Sequence, residues 1–367
     1  MSSSTVSFLF LGSLSLLLAA CADKQPLLCG EGFVPFQGQC IDAALRYEPE
    51  AQLDINNVVA YGEPLTSLEL PSPPKSGFRI VAPPRTLEPG AEVDFCLSWP
   101  IPDMVHPYVH AGRLYTTPGL HHSNVVAKPI DTTLGPNPYP DCHAGADDPF
   151  SDIGAGIPDV LFANSTQVVG KETITFPEGM GFKIDDTREI TTGIHYLNTT
   201  NEPMRIEVAY DFFTMPEKEL TQEVAPFVMQ IEKFSVPPHT QERVAADCHV
   251  FGGHVVSLMP HTHELAEDFT VDLHQQNGTA SRVYEDGAFD LDSDIRTYNP
   301  GFSLEEATSI EHACHFNNRR DVEVHYGIGL NEMCLLFGYI YPVEKQFAGV
   351  VSEDNGKCTS IQLGLFR

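Results

Sequence analysis

Turn-forming residues occur at frequent intervals along the whole chain, and they constrain its fold more than any other feature. The 367 residues include 29 prolines and 28 glycines, with frequent Thr, Val and Phe between them. This usage favours short strands and turns over long helices. Segments 77–81 and 205–210 alternate apolar with polar residues, as half-buried strands do. We therefore predict an all-β protein.

The length of the chain is sufficient for two domains of ordinary size. The strand pattern is interrupted by an acidic stretch from Glu217 to Glu223, which places a boundary near Thr221. We predict a signal peptide with a lipobox at 1–21 and a tether with a small disulfide loop at 22–50. A first domain then spans 51–221 and a second spans 222–367.

The charge of the chain excludes one class of partner. Lys and Arg number 21 against 50 Asp and Glu, which gives a formal net charge of −29. A surface of this sign repels phosphate backbones and anionic lipid headgroups. Nucleic acid is therefore not an expected partner.

The N-terminus resembles an export signal. Residues 8–20 form an apolar run of signal-peptide length, and 18–21 read Leu-Ala-Ala-Cys, as in the lipobox of bacterial lipoproteins. Residues 1–7 contain no Lys or Arg, which departs from the usual positively charged start. We expect a periplasmic, outer-membrane or cell-surface lipoprotein anchored through Cys21, with ordinary secretion as the alternative. The membrane would then be contacted only through this lipid.

The cysteine count supports export. Nine cysteines are odd, and assigning Cys21 to the lipid leaves eight that can pair completely. Disulfides persist in oxidising compartments, so we expect structural pairing rather than a catalytic thiol. Cys29 and Cys40 bracket a short loop and are expected to close it. For the whole set, sequence alone leaves about 105 connectivities open.

Histidine pairs are the first candidates for chemistry. His261 and His263 stand at i and i+2, so on an extended chain both imidazoles lie on one face and can share a metal ion. His121 and His122 are adjacent, and neighbours on a regular strand point to opposite faces. Both can reach one ion only where the backbone bulges or leaves the strand.

His195 and Met333 become candidate metal ligands only in combination with the histidine pairs. His195 lies on a β-type run, and alone it is more often a core or edge histidine than a ligand. Met333 alone would be a core residue in most proteins. Along the chain, however, these elements follow the order His-His, His-Tyr, His-x-His and Glu-Met-Cys.

In this order the sequence resembles the copper type II, ascorbate-dependent monooxygenases, the family of dopamine beta-monooxygenase and peptidylglycine alpha-hydroxylating monooxygenase. The resemblance covers most of residues 96–358. The matching segments are Leu120-His121-His122, Ile194-His195-Tyr196, His261-Thr262-His263 and Glu332-Met333-Cys334.

The resemblance implies two antiparallel β-sandwich, or jelly-roll, domains side by side, with two copper sites facing a shared solvent-filled gap. One copper would be held by His121, His122 and His195, and the other by His261, His263 and Met333. A thioether favours Cu(I). The family therefore places the reaction of dioxygen with a small-molecule substrate at His261, His263 and Met333, and ascorbate or another small reductant supplies electrons.

The resemblance also implies a disulfide arrangement. The pairs would be Cys96 with Cys142, Cys314 with Cys334, and Cys248 with Cys358, which leaves Cys29 with Cys40. No thiol would then remain for nucleophilic chemistry.

This chain departs from the family pattern around the second site. Peptidylglycine enzymes have an arginine that anchors the substrate carboxylate two positions before His-x-His, and here that position is Met259. The family pattern has polar residues two and four positions after the ligand methionine, but this chain has Leu335 and Phe337 there. A neutral or aromatic substrate is therefore expected. A second His-Tyr at His325 could compete with His195 as ligand, and we prefer His195 because it lies in the first domain.

Two other functions have partial support in the sequence. Residues 263–267 begin like the zinc-protease pattern, but Glu267 stands where its second histidine is required. The stronger alternative is a non-catalytic exported copper-binding protein, a store or sensor that uses the same ligands without an oxidisable substrate.

Overall fold

The computed structural model describes residues 33–36, 39–42, 58–60, 68–101, 106–129, 159–163, 170–184, 188–286, 295–327, 331–353 and 356–366. It begins with a hairpin of β1 (Phe33–Phe36) and β2 (Gln39–Asp42). We call residues 51–221 the first lobe. Its strands are β3 (Val58–Ala60), β4 (Gly77–Val81), β5 (Arg85–Leu87), β6 (Glu92–Pro100), β7 (Tyr108–Thr116), β8 (Leu120–Pro129), β9 (Asp159–Ala163), β10 (Gly170–Thr175), β11 (Met180–Lys183), β12 (Arg188–Leu197), β13 (Met204–Ile206) and β14 (Val208–Met215).

We call residues 222–367 the second lobe. Its strands are β15 (Gln222–Ile231), β16 (Ser235–Val236), β17 (Gln241–His249), β18 (His254–His261), β19 (Ala266–Gln275), β20 (Ala280–Asp286), β21 (Arg296–Ser303), β22 (Ala307–Asn317), β23 (Val324–His325), β24 (Leu335–Tyr341), β25 (Phe347–Val351) and β26 (Thr359–Gln362). Within the described residues of both lobes, 3-10 turns lie at Glu217–Glu219, Val343–Lys345 and Gly364–Phe366. The described residues contain no α-helix, and the all-β prediction is confirmed.

One large sheet runs through both lobes. Its path is β21-β18-β24-β15-β11-β7-β14-β4-β3, with β10, β25 and β26 attached at its sides. The four-stranded sheet β6-β12-β8-β9 accompanies it in the first lobe, and β17-β22-β19-β20 in the second. The lobes join where β11 pairs in parallel with β15, at Met180 opposite Gln222. The predicted boundary near Thr221 therefore falls one residue before the joining strand.

The lobes also share a hydrophobic core. Tyr339 of the second lobe packs against Phe176 and Phe182 of the first, with ring centroids 4.5 and 6.1 Å apart. Met259 and Met333 belong to the same buried cluster as many first-lobe residues. Along this contact the lobes are therefore joined by packed apolar side chains, and the expected solvent-filled gap is absent there. Burial of apolar side chains drives the lobes together there.

Two predicted disulfides are confirmed. Cys248 is bonded to Cys358, and Cys314 is bonded to Cys334, directly beside Met333. The predicted pairs of Cys96 with Cys142 and of Cys29 with Cys40 lie outside the described residues or side chains.

The signal peptide, the lipobox with Cys21 and most of the tether also lie outside the described residues. Within the part of the chain that is described, no helix is long and apolar enough to cross a bilayer.

The two disulfides should differ in their contribution to stability. They close loops with sequence separations of 110 and 20 residues. In the chain-entropy model the longer loop contributes about 5 kcal/mol and the shorter about 3 kcal/mol. In urea unfolding we expect Cys248→Ala/Cys358→Ala to lose more unfolding free energy than Cys314→Ala/Cys334→Ala. An equal or reversed order would contradict this account.

Candidate metal centre

A β-bulge occurs at the first histidine pair. Along β8 and β12, His122 is opposite His195, but Leu120 is opposite Tyr196. His121 is therefore the extra residue of the bulge, because no residue of β12 is paired with it. A bulge re-aims a side chain at such a position. The backbone irregularity that the adjacent histidines required is thus present.

His195 lies beside His121 on the neighbouring strand. Their ring centroids are 4.9 Å apart, with the rings nearly perpendicular. The Nε2 atom of His195 is 2.6 Å from a carboxylate oxygen of Glu92, an acceptor that orients the imidazole. The competing candidate His325 is 57% exposed and lies near Glu323. The structure therefore favours His195 over His325 as the partner of His121.

The second-lobe histidines meet the first-lobe histidines. His261 ends β18 and His263 follows it, and their ring centroids are 5.4 Å apart. The ring of His263 is in turn 5.3 Å from that of His121. The contacts thus form a continuous series from His195 through His121 and His263 to His261, which we call the histidine cluster. Its four residues are between 1% and 7% exposed.

Burial keeps two of these imidazoles, those of His121 and His263, in the neutral form. Desolvation, with a smaller contribution from His195, lowers the pKa of His121 to about 4. Desolvation also lowers the pKa of His263 well below its ordinary value, and the charges of His261, His121 and His195 act in the same direction. A neutral imidazole offers a lone pair, which is the form that binds a metal ion.

The segment before Met333 fixes the position of His263. Nδ1 of His263 donates to the backbone carbonyl of Asn331 at 2.9 Å, so its Nε2 bears the lone pair. The buried carboxyl oxygens of Glu332 accept hydrogen bonds from the backbone N–H groups of His263 and Leu265, at 2.9 and 2.8 Å. Desolvation raises the pKa of Glu332 to about 8. Met333, which is 6% exposed, is therefore attached to the loop that contains His263.

The structure brings together four of the six predicted ligands and places Met333 on the adjoining segment. The side chain of His122 is outside the described set, although its backbone pairs with His195. The described conformation does not itself contain a ready-made metal-binding group of three His, Cys, Asp or Glu side chains. The rings are in contact, so rotation of the side chains is required before they can share an ion.

Sequence reasoning missed the residues that orient these histidines. The sequence marks Glu332 only as part of Glu-Met-Cys, and an acidic residue beside the predicted ligand Met333 was the available signal. Glu92 gave no signal, because it is 103 residues from His195 in the chain. Asn331 acts through its backbone carbonyl, which no residue type reveals.

Comparisons with known proteins identify no family. No family model matches the chain, and no curated protein matches it. Among solved structures, the chain is similar to the major capsid protein P2 of bacteriophage PM2, with 10% identity over 70% of this chain and 97% of that one, and a TM-score of 0.29. The PBSX exported protein XepA aligns with 6% identity over 72% and 86% of the two chains, at a TM-score of 0.20. TM-scores this low support no argument about function.

Removing the Glu332 carboxylate should loosen the loop at His263. In Glu332→Ala, two buried backbone N–H groups lose their acceptor, and we expect a loss of about 2 kcal/mol or more of unfolding free energy. The control is Glu264→Ala, whose side chain is exposed and pairs with Arg320. This variant should lose less than about 1 kcal/mol. The measurement is denaturant unfolding, and equal losses in the two variants would show that the Glu332 contacts do not stabilise the loop.

Proposed function

We propose that this protein is an exported, copper-dependent monooxygenase that hydroxylates a small neutral or aromatic substrate with dioxygen. The observation that supports it most is the assembly of His121, His195, His261 and His263 into one buried cluster, with Met333 on the attached segment. These residues come from four separate parts of the chain. The resemblance to copper monooxygenases assigns these same residues to metal binding.

The donor set fits copper. Neutral imidazole binds either oxidation state of copper, and a thioether favours Cu(I). We assign one ion to His121, His122 and His195 and the other to His261, His263 and Met333. In His263 the metal-ligating atom would be Nε2, because Nδ1 donates its hydrogen bond to the backbone carbonyl of Asn331. In His195 the hydrogen bond to Glu92 uses Nε2, so the metal-ligating atom would be Nδ1, which is buried.

The reaction has a simple balance. One oxygen atom of dioxygen enters a substrate C–H bond as a hydroxyl group, and the other becomes water with two electrons and two protons. Bound copper would supply one-electron redox chemistry, and ascorbate or another small reductant would supply the electrons. The protein contributes a water-poor environment, because the cluster lies among buried apolar residues such as Met259 and Phe337.

The surroundings of His261 argue for a substrate without a charged group. Leu335 is paired with His261 across β18 and β24, and Met259 is opposite Phe337. All three of these neighbours are at most 1% exposed. A carboxylate or ammonium group placed among them would lose hydration without gaining a partner. A neutral or aromatic compound avoids that cost.

A second candidate function is supported by the burial of the cluster. The four histidines are nearly inaccessible, and the core extends across both lobes beside them. Such a closed site suits an exported copper store or sensor, which needs slow release of the ion and no substrate. The two candidates make different predictions about oxygen consumption.

The deciding experiment combines copper quantitation with reductant-dependent oxygen uptake. The copper-loaded protein is supplied with ascorbate and a panel of aromatic amines, alcohols and hydrocarbons, and products are identified by mass spectrometry. A monooxygenase yields a hydroxylated product in proportion to the oxygen consumed. Stable copper binding without any product would favour the store or sensor.

Replacing Met333 tests the assignment of the second ion. Met333→Ile keeps the apolar bulk and removes the sulfur, so we expect copper content after reduction to fall from about two per chain towards one. The matched control is Met229→Ile, because Met229 is fully buried in the core of the second lobe. This control should retain the copper content of the original chain. Full copper content and hydroxylation in Met333→Ile would show that Met333 is only a core residue.

A further inference from the structure

Gln230 is a polar residue in the middle of an apolar sheet face. It lies on β15 and its side chain is fully buried. Its amide nitrogen donates a hydrogen bond to the carboxylate of Glu232. Because an ionised carboxylate can only accept hydrogen bonds, this contact decides which end of the amide is the nitrogen. The carbonyl oxygen Oε1 is therefore the other end.

The buried carbonyl oxygen of Gln230 lacks a hydrogen bond. Within the described part of the chain, no donor reaches Oε1. A buried acceptor without a partner costs stability, and an apolar side chain of the same size would fill this position without that cost. We infer that Oε1 marks a place where a donor from outside the chain binds.

Gln230 belongs to a row of side chains that ends at the histidine cluster. Gln230 is paired with Leu335 of β24, and Leu335 is paired with His261 of β18. Paired residues project from the same face of a sheet. Neighbouring strands are about 4.8 Å apart, so the backbones of Gln230 and His261 are separated by about 10 Å. One small molecule can therefore lie between these two side chains.

The same row reaches solvent at its other end. Gln230 is paired with Val350, which is partly exposed, and Val350 with Thr359, which is exposed. A second row lies alongside on the same face, two residues away on each strand. Its members are all apolar, and they are Ile361, Ala348, Val228, Phe337 and Met259. Ile361, at the outer end, is 45% exposed. Apolar side chains thus extend from the sheet edge to the neighbourhood of His261.

We propose that Gln230 determines substrate specificity, because its Oε1 accepts a hydrogen bond from a hydroxyl group at the end of the substrate remote from the reacting carbon. The substrate class is then a neutral aromatic compound with a hydroxyl donor. Ligand sites are mostly apolar, with a few polar groups that fix orientation. A ligand with the donor supplies the hydrogen bond that Oε1 lacks, whereas a ligand without it leaves the oxygen unpaired. The covering side chains must separate for entry, and this costs least near Val350, where they already meet water.

This inference rests on the proposed function for one point, the position of the reacting carbon near His261. Recognition of the hydroxyl group by Gln230 requires neither copper nor dioxygen. It can therefore be measured on the metal-free, full-length protein, separately from any oxidation.

The experiment is calorimetric titration of the metal-free protein with compounds that differ only in a methylated hydroxyl group. The pairs are para-ethylphenol with para-ethylanisole, and benzyl alcohol with benzyl methyl ether. In the original chain we expect the hydroxyl member of at least one pair to bind about 10-fold more tightly, the effect of one hydrogen bond to a buried acceptor. Gln230→Met keeps the length of the side chain and removes the acceptor, so it should lose this preference.

The matched control is Gln222→Met. Gln222 lies on the same strand eight residues earlier, and its amide nitrogen donates to the backbone carbonyl of Glu223. This variant should keep the preference of the original chain. The proposal is overturned if neither hydroxyl compound binds, if both members of each pair bind equally, or if Gln230→Met keeps the preference.

A second measurement avoids dependence on the folding of the variant. In the original chain with ¹³C-labelled glutamine, the side-chain carbonyl signal of Gln230 should shift when the bound hydroxyl compound is added and stay in place with its methyl ether. An unmoved signal at saturation would also overturn the proposal. A hydroxyl preference without copper-dependent hydroxylation would instead count against the monooxygenase and leave the role of Gln230 intact.

Discussion

The backbone pairing of β11 with β15 holds the two lobes in one sheet, and the histidine cluster depends on it. Met180 to Phe182 pair in parallel with Gln222 to Val224, and the strands on either side continue the sheet into each lobe. The shared core around Tyr339 then packs the second-lobe part of this sheet against the first lobe. Because His121 lies in the first lobe and His263 in the second, their contact exists only while this arrangement persists.

Three histidines of the cluster are positioned by three different structural features. A bulge re-aims His121, and the carboxylate of Glu92 orients His195. The backbone of Asn331 and the carboxylate of Glu332 hold His263 and its loop. Burial then keeps His121 and His263 neutral at ordinary pH, which costs stability but preserves the lone pairs. A cluster selected only for packing would be more stable with apolar side chains in these positions.

Much of this architecture could be predicted from sequence, because its causes are local. Alternation and turn residues predict the strands, and binding of one ion by the adjacent His121 and His122 requires an irregular backbone there, which the structure has as a bulge. The two confirmed disulfides came from the resemblance to a family, since spacing alone could not choose among the connectivities. The parallel pairing of β11 with β15 could not be predicted, because it joins strands of different lobes without a periodic signature. The contact of His121 with His263 follows from that pairing and was missed with it.

Histidines from both lobes share one buried cluster, and nuclear magnetic resonance can test this contact directly. The metal-free protein would be labelled with ¹³C only in its histidine rings, and cross-relaxation between ring protons would be measured. Assignments would come from single histidine substitutions. We predict a cross-peak between His121 and His263, in addition to those within the His121–His195 and His261–His263 pairs. Cross-peaks confined to the two pairs within each lobe would contradict the shared cluster.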